Sequence, residues 1–423
     1  MLIPSIDLMG GQTVQLIGGK EHALDAGDPI PIAKRFGRVG EVACIDLDAA
    51  LGQGSNRALI ESVCSVARCR VGGGIRDEAT ARAVLDAGAR KIIIGTAAKP
   101  ELLSKLPRDR VIVALDALDG EIVIEGWRTK TGASVADRMH ELRGLAGGFL
   151  VTFVEREGRM QGTALERVAE LRKAAGSAEL TIAGGVTTAA EIAELDRMGV
   201  DAQVGMALYT GRMDLADAFA APLTSDREDG LFATVVVDEH GRALGLCWSN
   251  HESLREALAT GKGVYWSRRR GLWRKGESSG ATQELLAVDL DCDRDALRFT
   301  VRQASPGFCH RDTTSCWGPL GGLPALAATL HARAQEASVD SYTTRLLADP
   351  ALLRAKLLEE AKELACAEGP VSIANEVADV IYFALVAARR GGVSLGDVER
   401  VLDQRALRVT RRKGDAKPEN EEP

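Results

Sequence analysis

The sequence predicts a multidomain protein: an α/β (βα)8 barrel, then a small α+β metal-binding domain, then an all-α domain. Three observations predict this order. Residues 1–221 alternate short β-branched runs with Ala-, Leu- and Glu-rich stretches, as repeated βα units do. Residues 231–318 mix strand-like runs with many Gly, Ser and Arg residues. Residues 325–410 have apolar residues at helical spacing.

Size and composition set the broad class. A chain of 423 residues exceeds what one hydrophobic core usually serves. With 45% apolar residues and no apolar run of about 18 residues, we expect a globular protein without a membrane span. The first residues, MLIPSIDLMGG, lack the features of a secretory signal, so we expect a cytoplasmic location. A net charge of −7 argues against general nucleic-acid binding but allows a local patch that holds a phosphorylated small molecule.

Polar stretches separate the three segments. Residues 222–230 and 318–324 read as linkers, and the charged tail 411–423 lacks large apolar residues and is predicted to be disordered. Several β-branched runs in the first segment predict buried strands, at 43–46, 91–94, 111–115, 149–152 and 180–182. In the middle segment we expect a strand at 234–237 and a helix near 251–260.

The first segment contains an internal repeat with a shift of about 110 residues. The repeat carries Asp7 onto Asp116. Such a duplicated βα array predicts two halves of an eight-stranded TIM barrel. The aligned pairs are IPSIDLMGG (3–11) with VIVALDALDG (111–120), VGGGI (71–75) with IAGGV (182–186), and IGTA (94–97) with VGMA (204–207).

The Gly-rich turns of the repeat are candidate phosphate sites. Each follows a predicted strand and opens a predicted helix, where backbone N–H groups can hold a phosphate. Two such turns suit a substrate with a phosphate at both ends. Asp7 and Asp116 stand between them at the strand ends where barrel enzymes place catalytic groups, although helix capping is the alternative interpretation. The candidate phosphate-binding residues of the barrel are Gly73, Gly74, Arg76, Gly95, Gly184, Gly185 and Gly205.

Nearly all of 1–221 resembles phosphoribosylformimino-AICAR-phosphate isomerase. The resemblance rests on IPSIDLMGG, IDLDAALGQ, VGGGIRDEATARAVLDAGARKIIIGTAA, LDALDGEIVIEGW, IAGGVT and VGMALYTGRMDL. It implies an Amadori rearrangement of an aminoaldose to an aminoketose, with Asp7 as general base, Asp116 as general acid and Thr152 as a third catalytic residue. Paired carboxylates can move protons between the ring oxygen, C1 and C2.

The barrel departs from that family at three places. Phe153 and Glu157 replace aspartates of the family's strand-6 motif, and Met9-Gly10 stands where a basic residue is usual. Three alternatives therefore stay open: a non-catalytic scaffold barrel on a two-step hydrolase, a barrel that also isomerises phosphoribosylanthranilate, or the related cyclase. The stretch DAGDP (25–29) looks like the cyclase, whereas EGW and IDLDAALG look like the isomerase.

The middle segment carries a candidate metal site in LDCDRDAL. In an extended strand, Asp291, Asp293 and Asp295 would line one face and Cys292 the other, and three carboxylates invite a hard cation such as Mg2+. Three thiols and a histidine within 25 residues suggest zinc, with three core cysteines as the alternative. These residues are Cys292, Cys309, Cys316 and His310, whereas Cys44, Cys64, Cys69, Cys247 and Cys366 have packing environments.

Together with VYWSRRRGLWRKGESSGATQ (264–283), these residues resemble phosphoribosyl-AMP cyclohydrolase over 231–318. The resemblance implies Zn2+ on the three cysteines, Mg2+ on the three aspartates, a catalytic His310, water attack at C6 of the purine ring, and a homodimer whose thiolates come from two subunits. Arg268 and Lys275 would bind substrate phosphate; single-stranded nucleic acid or a solvated basic face are the alternatives. One departure is CWSN (247–250), where the family has a stretch like AYMN.

The helical segment carries two acidic pairs. Glu360 and Glu363 share one helix face, and Glu376 and Asp379 repeat that spacing on the next helix; two solvated faces are the alternative. With SYTTRLL (341–347) and KLLEEAKE (356–363), the segment resembles phosphoribosyl-ATP pyrophosphatase. The resemblance implies Mg2+ on these four catalytic carboxylates, an ATP-like substrate whose phosphate Lys356 contacts, and a bundle completed by dimerisation.

The three resemblances name successive reactions of histidine biosynthesis. Hydrolysis of phosphoribosyl-ATP gives phosphoribosyl-AMP, ring opening gives the aminoaldose, and the barrel isomerises it. We therefore expect phosphorylated small molecules as partners, and neither nucleic acid nor a membrane. The domain order reverses the reaction order, so the sequence gives no basis for a directed tunnel.

Overall fold

The computed structural model describes residues 1–19, 21–124, 127, 129–160, 162–319, 321–336 and 341–410. The first segment forms the predicted eight-stranded barrel, and all five predicted strand runs lie within strands. The strands of this segment are β1 (Leu2–Met9), β2 (Gln12–Ile17), β3 (Glu21–Gly27), β4 (Val42–Asp46), β5 (Cys69–Gly72), β6 (Lys91–Ile94), β7 (Val111–Leu118), β8 (Glu121–Ile124), β9 (Thr129–Ser134), β10 (Gly148–Phe153), β11 (Glu179–Ala183) and β12 (Asp201–Val204).

Eight of these strands close the barrel. Each pairs in parallel with two neighbours, in the order β1, β4, β5, β6, β7, β10, β11, β12 and back to β1. Alternate side chains point inward and fill the interior, where Ile93, Ile112, Leu150 and Ala183 form a buried cluster. The carboxyl ends of all eight strands therefore meet at one rim, which is where Asp7 and Asp116 lie.

The repeat is visible in the strands outside the barrel. An antiparallel hairpin, β2–β3, follows β1, and a second one, β8–β9, follows β7. Each half of the barrel thus begins with a strand that carries one of the two predicted catalytic aspartates, followed by a hairpin. This arrangement supports the predicted duplication.

Helices cover the outside of the barrel and begin at caps that the sequence supplies. Asp77 accepts a hydrogen bond from the Thr80 amide at 2.8 Å, and Thr188 forms a capping box with Glu191. The helices are α1 (Pro29–Gly37), α2 (Leu47–Leu51), α3 (Arg57–Val66), α4 (Glu78–Asp86), α5 (Pro100–Leu103), α6 (Val135–Leu142), α7 (Leu165–Ala175), α8 (Ala189–Arg197), α9 (Met206–Tyr209) and α10 (Leu215–Ala220).

The middle segment forms a six-stranded sheet in the order β16-β15-β14-β13-β18-β17. The predicted strand at 234–237 and helix at 251–260 are both present. The elements are β13 (Phe232–Asp238), β14 (Ala243–Ser249), α11 (His251–Thr260), β15 (Val264–Ser267), β16 (Gly271–Arg274), β17 (Gln283–Leu290) and β18 (Ala296–Gln303).

The extended-strand prediction for 291–295 is wrong. These residues form the turn between β17 and β18. Asp291 explains the turn, because its Oδ1 accepts hydrogen bonds from the amides of Asp295 and Ala296 at 3.0 and 3.1 Å. Arg294 adopts the left-handed conformation, with φ of 65°.

The last segment is helical, as predicted. Its buried cluster joins five helices and includes Leu330, Leu346, Leu353, Phe383 and Leu395. The helices are α12 (Gly322–Glu336), α13 (Tyr342–Ala348), α14 (Pro350–Cys366), α15 (Pro370–Arg390) and α16 (Leu395–Leu407). Helix α15 is the one described helix that is long and apolar enough to cross a membrane, with mean hydropathy 1.6, but a core helix passes the same test.

The described chain divides into two compact units. One holds residues 1–236 and 246–305 together with the stretch that begins at Leu407, and the other holds 237–245 and 306–406. Within the second unit, the β13–β14 turn joins the helices through His240, whose Nδ1 lies 2.7 Å from Glu399. The predicted domains 1–221, 231–318 and 325–410 stay a proposal, and the predicted disordered tail 411–423 lies outside the described residues.

Candidate functional sites

The barrel rim brings Asp7 and Asp116 together with neutral hydrogen-bond donors. Gln15 of the first hairpin donates to Asp7 Oδ2 at 3.3 Å. Asp116 is the register partner of Thr152 on the neighbouring strand and is hydrogen-bonded to Thr152 and Trp127. Each aspartate therefore has a neutral partner from its own half of the barrel.

Burial shifts the acidity of both aspartates. It raises the pKa of Asp7 to about 7, while the hydrogen bond with Gln15 lowers it. Burial also raises the pKa of Asp116, against the hydrogen bonds of Trp127 and Thr152. Carboxyl groups of this kind can both accept and donate a proton near neutral pH.

A third carboxyl, Glu157, belongs to the same site and was missed as a candidate because the sequence marks it only as a departure. Burial, and then the negative charges of Asp7 and Asp116, raise its pKa to about 7. The signal that could have found it is its position at the end of the strand-6 motif, where the family also places an acid. The replacement at 157 thus keeps a carboxyl beside the two aspartates.

Phe153, the other replacement, lies elsewhere. Its side chain is 1% exposed and belongs to the core. At the third departure, the turn after β1 is held by the barrel, because Gly10 donates its amide to Asp48 at 2.7 Å and Gly11 donates to Asn56 at 3.1 Å. These contacts order the rim next to Asp7.

The two Gly-rich turns have matching backbones. Gly73 and Gly184 have φ of 98° and 90°, and Gly74 and Gly185 have φ of 68° and 83°. A Cβ at Gly73 would lie 2.1 Å from the Asp46 carbonyl oxygen, so only glycine fits. The repeat therefore conserves the turn geometry that exposes backbone amides.

The helix ends beside these turns are already engaged. Asp77 accepts from the Thr80 amide, and Glu191 accepts from the amides of Thr163, Thr187 and Thr188. These amides are therefore not available to a phosphate, which makes the glycine amides the candidate donors.

The remaining barrel candidates differ in setting. Arg76 lines a cavity of about 310 Å³ with Gly73 and Gly74, and its Nη2 donates to the Ala50 carbonyl at 2.9 Å. Gly205 is closely packed, since a Cβ there would lie 2.6 Å from Gln15 Oε1, whereas Gly95 has open space.

The acidic turn of the middle segment forms a candidate cation site. One oxygen from each of Asp291, Asp293 and Asp295 lies within 4.8 Å of the others. A hydrogen bond with Asp291 and the charge of Asp293 raise the pKa of Asp295, which shows how the carboxylates crowd one another. Carboxylates at this spacing suit a hard divalent cation.

Two of the predicted zinc ligands, Cys309 and Cys316, are hydrogen-bonded to each other. Cys309 is buried, and its pKa is lowered by the backbone N–H of Arg311, by Thr313 and by Cys316. His310 Nδ1 lies 3.9 Å from Cys309 Sγ. Cys292 and Cys316 are exposed. Among the described residues, the groups of three or more ligand atoms within 4.8 Å of one another contain carboxylates and no cysteine.

The basic run of the middle segment lines a cavity of about 640 Å³, which is also lined by three tryptophans, Trp248, Trp266 and Trp273. Arg268 lies there, with its guanidinium 5.4 Å from the Trp248 ring, and Arg227 stacks on the same ring at 4.2 Å. Lys275 is instead 9% exposed and donates to the Ala281 carbonyl at 3.2 Å, so its side chain has a structural contact.

The helical segment gathers three of the four predicted carboxylates. Ligand oxygens of Glu360, Glu363 and Glu376 lie within 4.8 Å of one another, and Asp379 is outside this group. Glu376 Oε2 is buried without a hydrogen-bond partner, and burial and the neighbouring carboxylates raise its pKa. Lys356 lies 2.9 Å from Glu360. An orphaned buried carboxylate oxygen in an acidic group fits a bound cation.

The described residues thus form a buried carboxyl site at the barrel rim and separate acidic and thiol sites in the other two segments. The chain belongs to the histidine biosynthesis protein family, whose model matches residues 1–214. The phosphoribosyl-AMP cyclohydrolase family matches residues 245–318 and the phosphoribosyl-ATP pyrophosphohydrolase family residues 323–406. The predicted family assignments and their order are thereby confirmed.

Curated relatives carry matching names. The histidine biosynthesis trifunctional protein of Neurospora crassa is 40% identical over 341 residues, 79% of this chain and 36% of that protein. The histidine biosynthesis bifunctional protein his7 of Schizosaccharomyces pombe is 53% identical over 206 residues, 49% of each chain. The 1-(5-phosphoribosyl)-5-((5-phosphoribosylamino)methylideneamino) imidazole-4-carboxamide isomerase of Gemmatimonas aurantiaca is 37% identical over 52% of this chain and 99% of its own. The chain thus spans half or less of the first two relatives.

Proposed function

We propose that this chain catalyses three consecutive steps of histidine biosynthesis. Its helical segment hydrolyses phosphoribosyl-ATP to phosphoribosyl-AMP and diphosphate, its middle segment opens the purine ring by hydrolysis, and its barrel isomerises the resulting aminoaldose to the aminoketose. A cytoplasmic location belongs to the same proposal. The observation that carries it is that each of the three family matches contains its own acidic or thiol site.

The barrel chemistry follows from Asp7, Asp116 and Glu157. Asp116, acting as the acid, gives a proton to the ring oxygen of the aminoaldose as the ring opens. Asp7 then removes the proton from C2 to give the enolamine, which becomes the ketose when C1 gains a proton and the C2 hydroxyl loses one. The pKa of Asp7, raised to about 7, and the raised pKa of Asp116 support such a proton transfer. Glu157 keeps the rim acidic at the position where the family carries an aspartate, which supports an active barrel over a scaffold.

Two metals would supply chemistry that the hydrolytic steps need. Cys292, Cys309 and Cys316 would hold zinc, with the thiolates coming from two subunits, and the lowered pKa of Cys309 favours the thiolate that zinc requires. Bound zinc supplies water activation for attack at C6. His310 then lies close enough to the thiol site to move a proton.

Magnesium belongs on the acidic groups. Asp291, Asp293 and Asp295 form one site of the right ligand type, and the orphaned Glu376 oxygen marks the other. Bound Mg2+ neutralises charge on the phosphates. Lys356 beside Glu360 is placed to balance further negative charge.

The helical segment also supports the proposed homodimer. Its helices α14 and α15 expose large apolar side chains, including Leu358 at 57% and Val371 at 74%. Surfaces of this kind commonly mark a protein partner. Light scattering of the purified chain tests this point, and a monomer at micromolar concentration would contradict it.

The decisive experiment gives the full chain phosphoribosyl-ATP, Mg2+ and Zn2+ and identifies products by chromatography and mass. The aminoaldose and aminoketose have equal mass, so their separation by chromatography decides the outcome. We expect the aminoketose from the unmodified chain and the aminoaldose from Asp7→Asn.

Asp25→Asn is the matched control, because Asp25 is exposed and pairs only locally with His22 at 2.8 Å. It should leave all three steps intact. Accumulation of the aminoaldose by the unmodified chain would leave a two-step hydrolase with a scaffold barrel.

A further inference from the structure

One residue of the acidic turn has an unusual backbone. Arg294 stands between two of the three clustered aspartates, Asp293 and Asp295, and its φ of 65° is in the left-handed region. A residue with a Cβ is disfavoured there, and glycine or asparagine is the usual occupant. Such an outlier persists only where its surroundings hold it.

The surroundings of Arg294 come from both the barrel and the turn. Its Nε and Nη2 donate to the two carboxylate oxygens of Asp196 on α8, at 3.1 and 3.2 Å. Its Nη1 donates to the Asp291 carbonyl at 2.6 Å, and its own carbonyl accepts the Thr224 amide at 2.9 Å. The guanidinium therefore ties the backbone of a metal-site aspartate to a barrel helix.

The pair is built to be rigid. The side chains of Arg294 and Asp196 are 24% and 13% exposed, and two parallel N–H···O contacts fix the angle as well as the distance. Burial raises the pKa of Asp196, but hydrogen bonds from Arg294 and the nearby Met1 amino group more than offset this and lower it. The carboxylate stays charged at neutral pH.

We propose that Asp196 of the barrel is a positioning residue for the cation site of the middle segment, acting through Arg294. The barrel then has a second task besides its own chemistry: it holds Asp291 in the geometry in which the three carboxylates converge. This inference rests on the proposed magnesium site at Asp291, Asp293 and Asp295.

The test measures Mn2+ binding by electron paramagnetic resonance, since Mn2+ accepts the same carboxylate ligands as Mg2+. All proteins are full-length chains carrying Glu360→Gln and Glu363→Gln, which removes the helical site from the signal. Residues that orient metal ligands commonly contribute about 10–100-fold to affinity, so Asp196→Ala and Arg294→Gly should each weaken binding about tenfold.

Three further variants separate positioning from folding. The double variant Asp196→Ala/Arg294→Gly should bind no more weakly than either single variant, because both remove one contact. Asp196→Glu should retain most of the affinity. Arg294→Gly also relieves the left-handed backbone, so it should lose Mn2+ affinity without losing thermal stability.

Asp217→Asn is the matched control. It breaks another contact between the barrel and the middle segment, the 2.5 Å pair of Asp217 and Arg255, without touching the turn, and should leave Mn2+ binding unchanged. If Asp293→Asn weakens binding but Asp196→Ala does not, the positioning role is wrong. If Asp293→Asn has no effect, the turn is not a metal site, and both assignments fall.

Discussion

The barrel rim and the helical acidic group both crowd carboxyl groups, but they relieve the crowding differently. At the rim, Asp7 and Asp116 each accept a hydrogen bond from neutral side chains. In the helical group, Glu376 has a buried oxygen without a partner, and its neighbours are also acidic. Both environments raise carboxyl pKa values by burial.

The difference shows what each site is prepared to bind. Neutral donors tolerate either protonation state of a carboxyl, so the rim suits proton transfer. Three converging carboxylates with an orphaned oxygen favour a cation, because a cation is the partner that satisfies all of them. Raised pKa values alone do not separate the two roles; the identity of the neighbours does.

The largest effect should come from removing the proposed acid. Asp116→Asn keeps the size of the side chain but cannot donate the proton, and general acid–base groups typically contribute 10²–10⁴-fold, so isomerisation should slow by about 10³-fold. Both hydrolytic steps should be unchanged. Product chromatography on the full chain measures all three rates, and equal loss in all three would point to misfolding instead.

In the helical group, Glu376→Gln should slow diphosphate release by about 100-fold, the upper range for losing control of a bound metal. Mg2+ should no longer raise the melting temperature of the segment. Asp379→Asn should cost less, since Asp379 lies outside the close group. Glu368→Gln, at an exposed position between the helices, is the control. If Glu376→Gln and Asp379→Asn slowed diphosphate release equally, the predicted site of four carboxylates would be supported instead.

The acidity of the rim should depend on Glu157. Asp7 must be ionised to act as a base, so isomerisation should rise with pH through about 7. Glu157→Gln removes a neighbouring negative charge, which makes ionisation of Asp7 easier and moves this limb to lower pH by about one unit. The pH profile of kcat/KM measures the shift, with exposed Asp119→Asn as control. If the rising limb of the pH profile stays at the same pH in Glu157→Gln, Glu157 does not influence the ionisation of Asp7.

The smallest effect is on stability. The folded pKa of Asp7 exceeds its ordinary value of 3.8, so the folded state loses stability as pH rises from about 4 through about 7. Asp7→Asn should therefore raise the free energy of unfolding at pH 8 and leave it unchanged at pH 4. Denaturant titrations at both pH values test this. If Asp7→Asn stabilised the protein equally at both pH values, the cause would be packing and not ionisation.

Much of this architecture could be read from the sequence because the relevant signals are local or repeated. The internal repeat placed Asp7 and Asp116 at equivalent strand ends, and the matched turns at Gly73 and Gly184 confirm that symmetry of backbone. Strand runs such as 91–94 were found because buried parallel strands are continuously apolar.

The rest depended on contacts that spacing does not encode. Alternate aspartates fit a strand and a turn equally well, and the bonds from Asp291 to two amides decided for the turn. The spacing of Glu376 and Asp379 suggested equal ligands, whereas helix packing brings only Glu376 into the close group. Lys275 was predicted to bind phosphate as part of a basic run, yet its side chain is buried.

The paired hairpins show that the barrel consists of two structurally equivalent halves. One half supplies Asp7 with Gln15, and the other supplies Asp116 with Trp127. A single half would contain one aspartate and one donor, and so could not supply both the proposed base and the proposed acid. The proposed division between base and acid therefore requires both halves of the repeat on one chain.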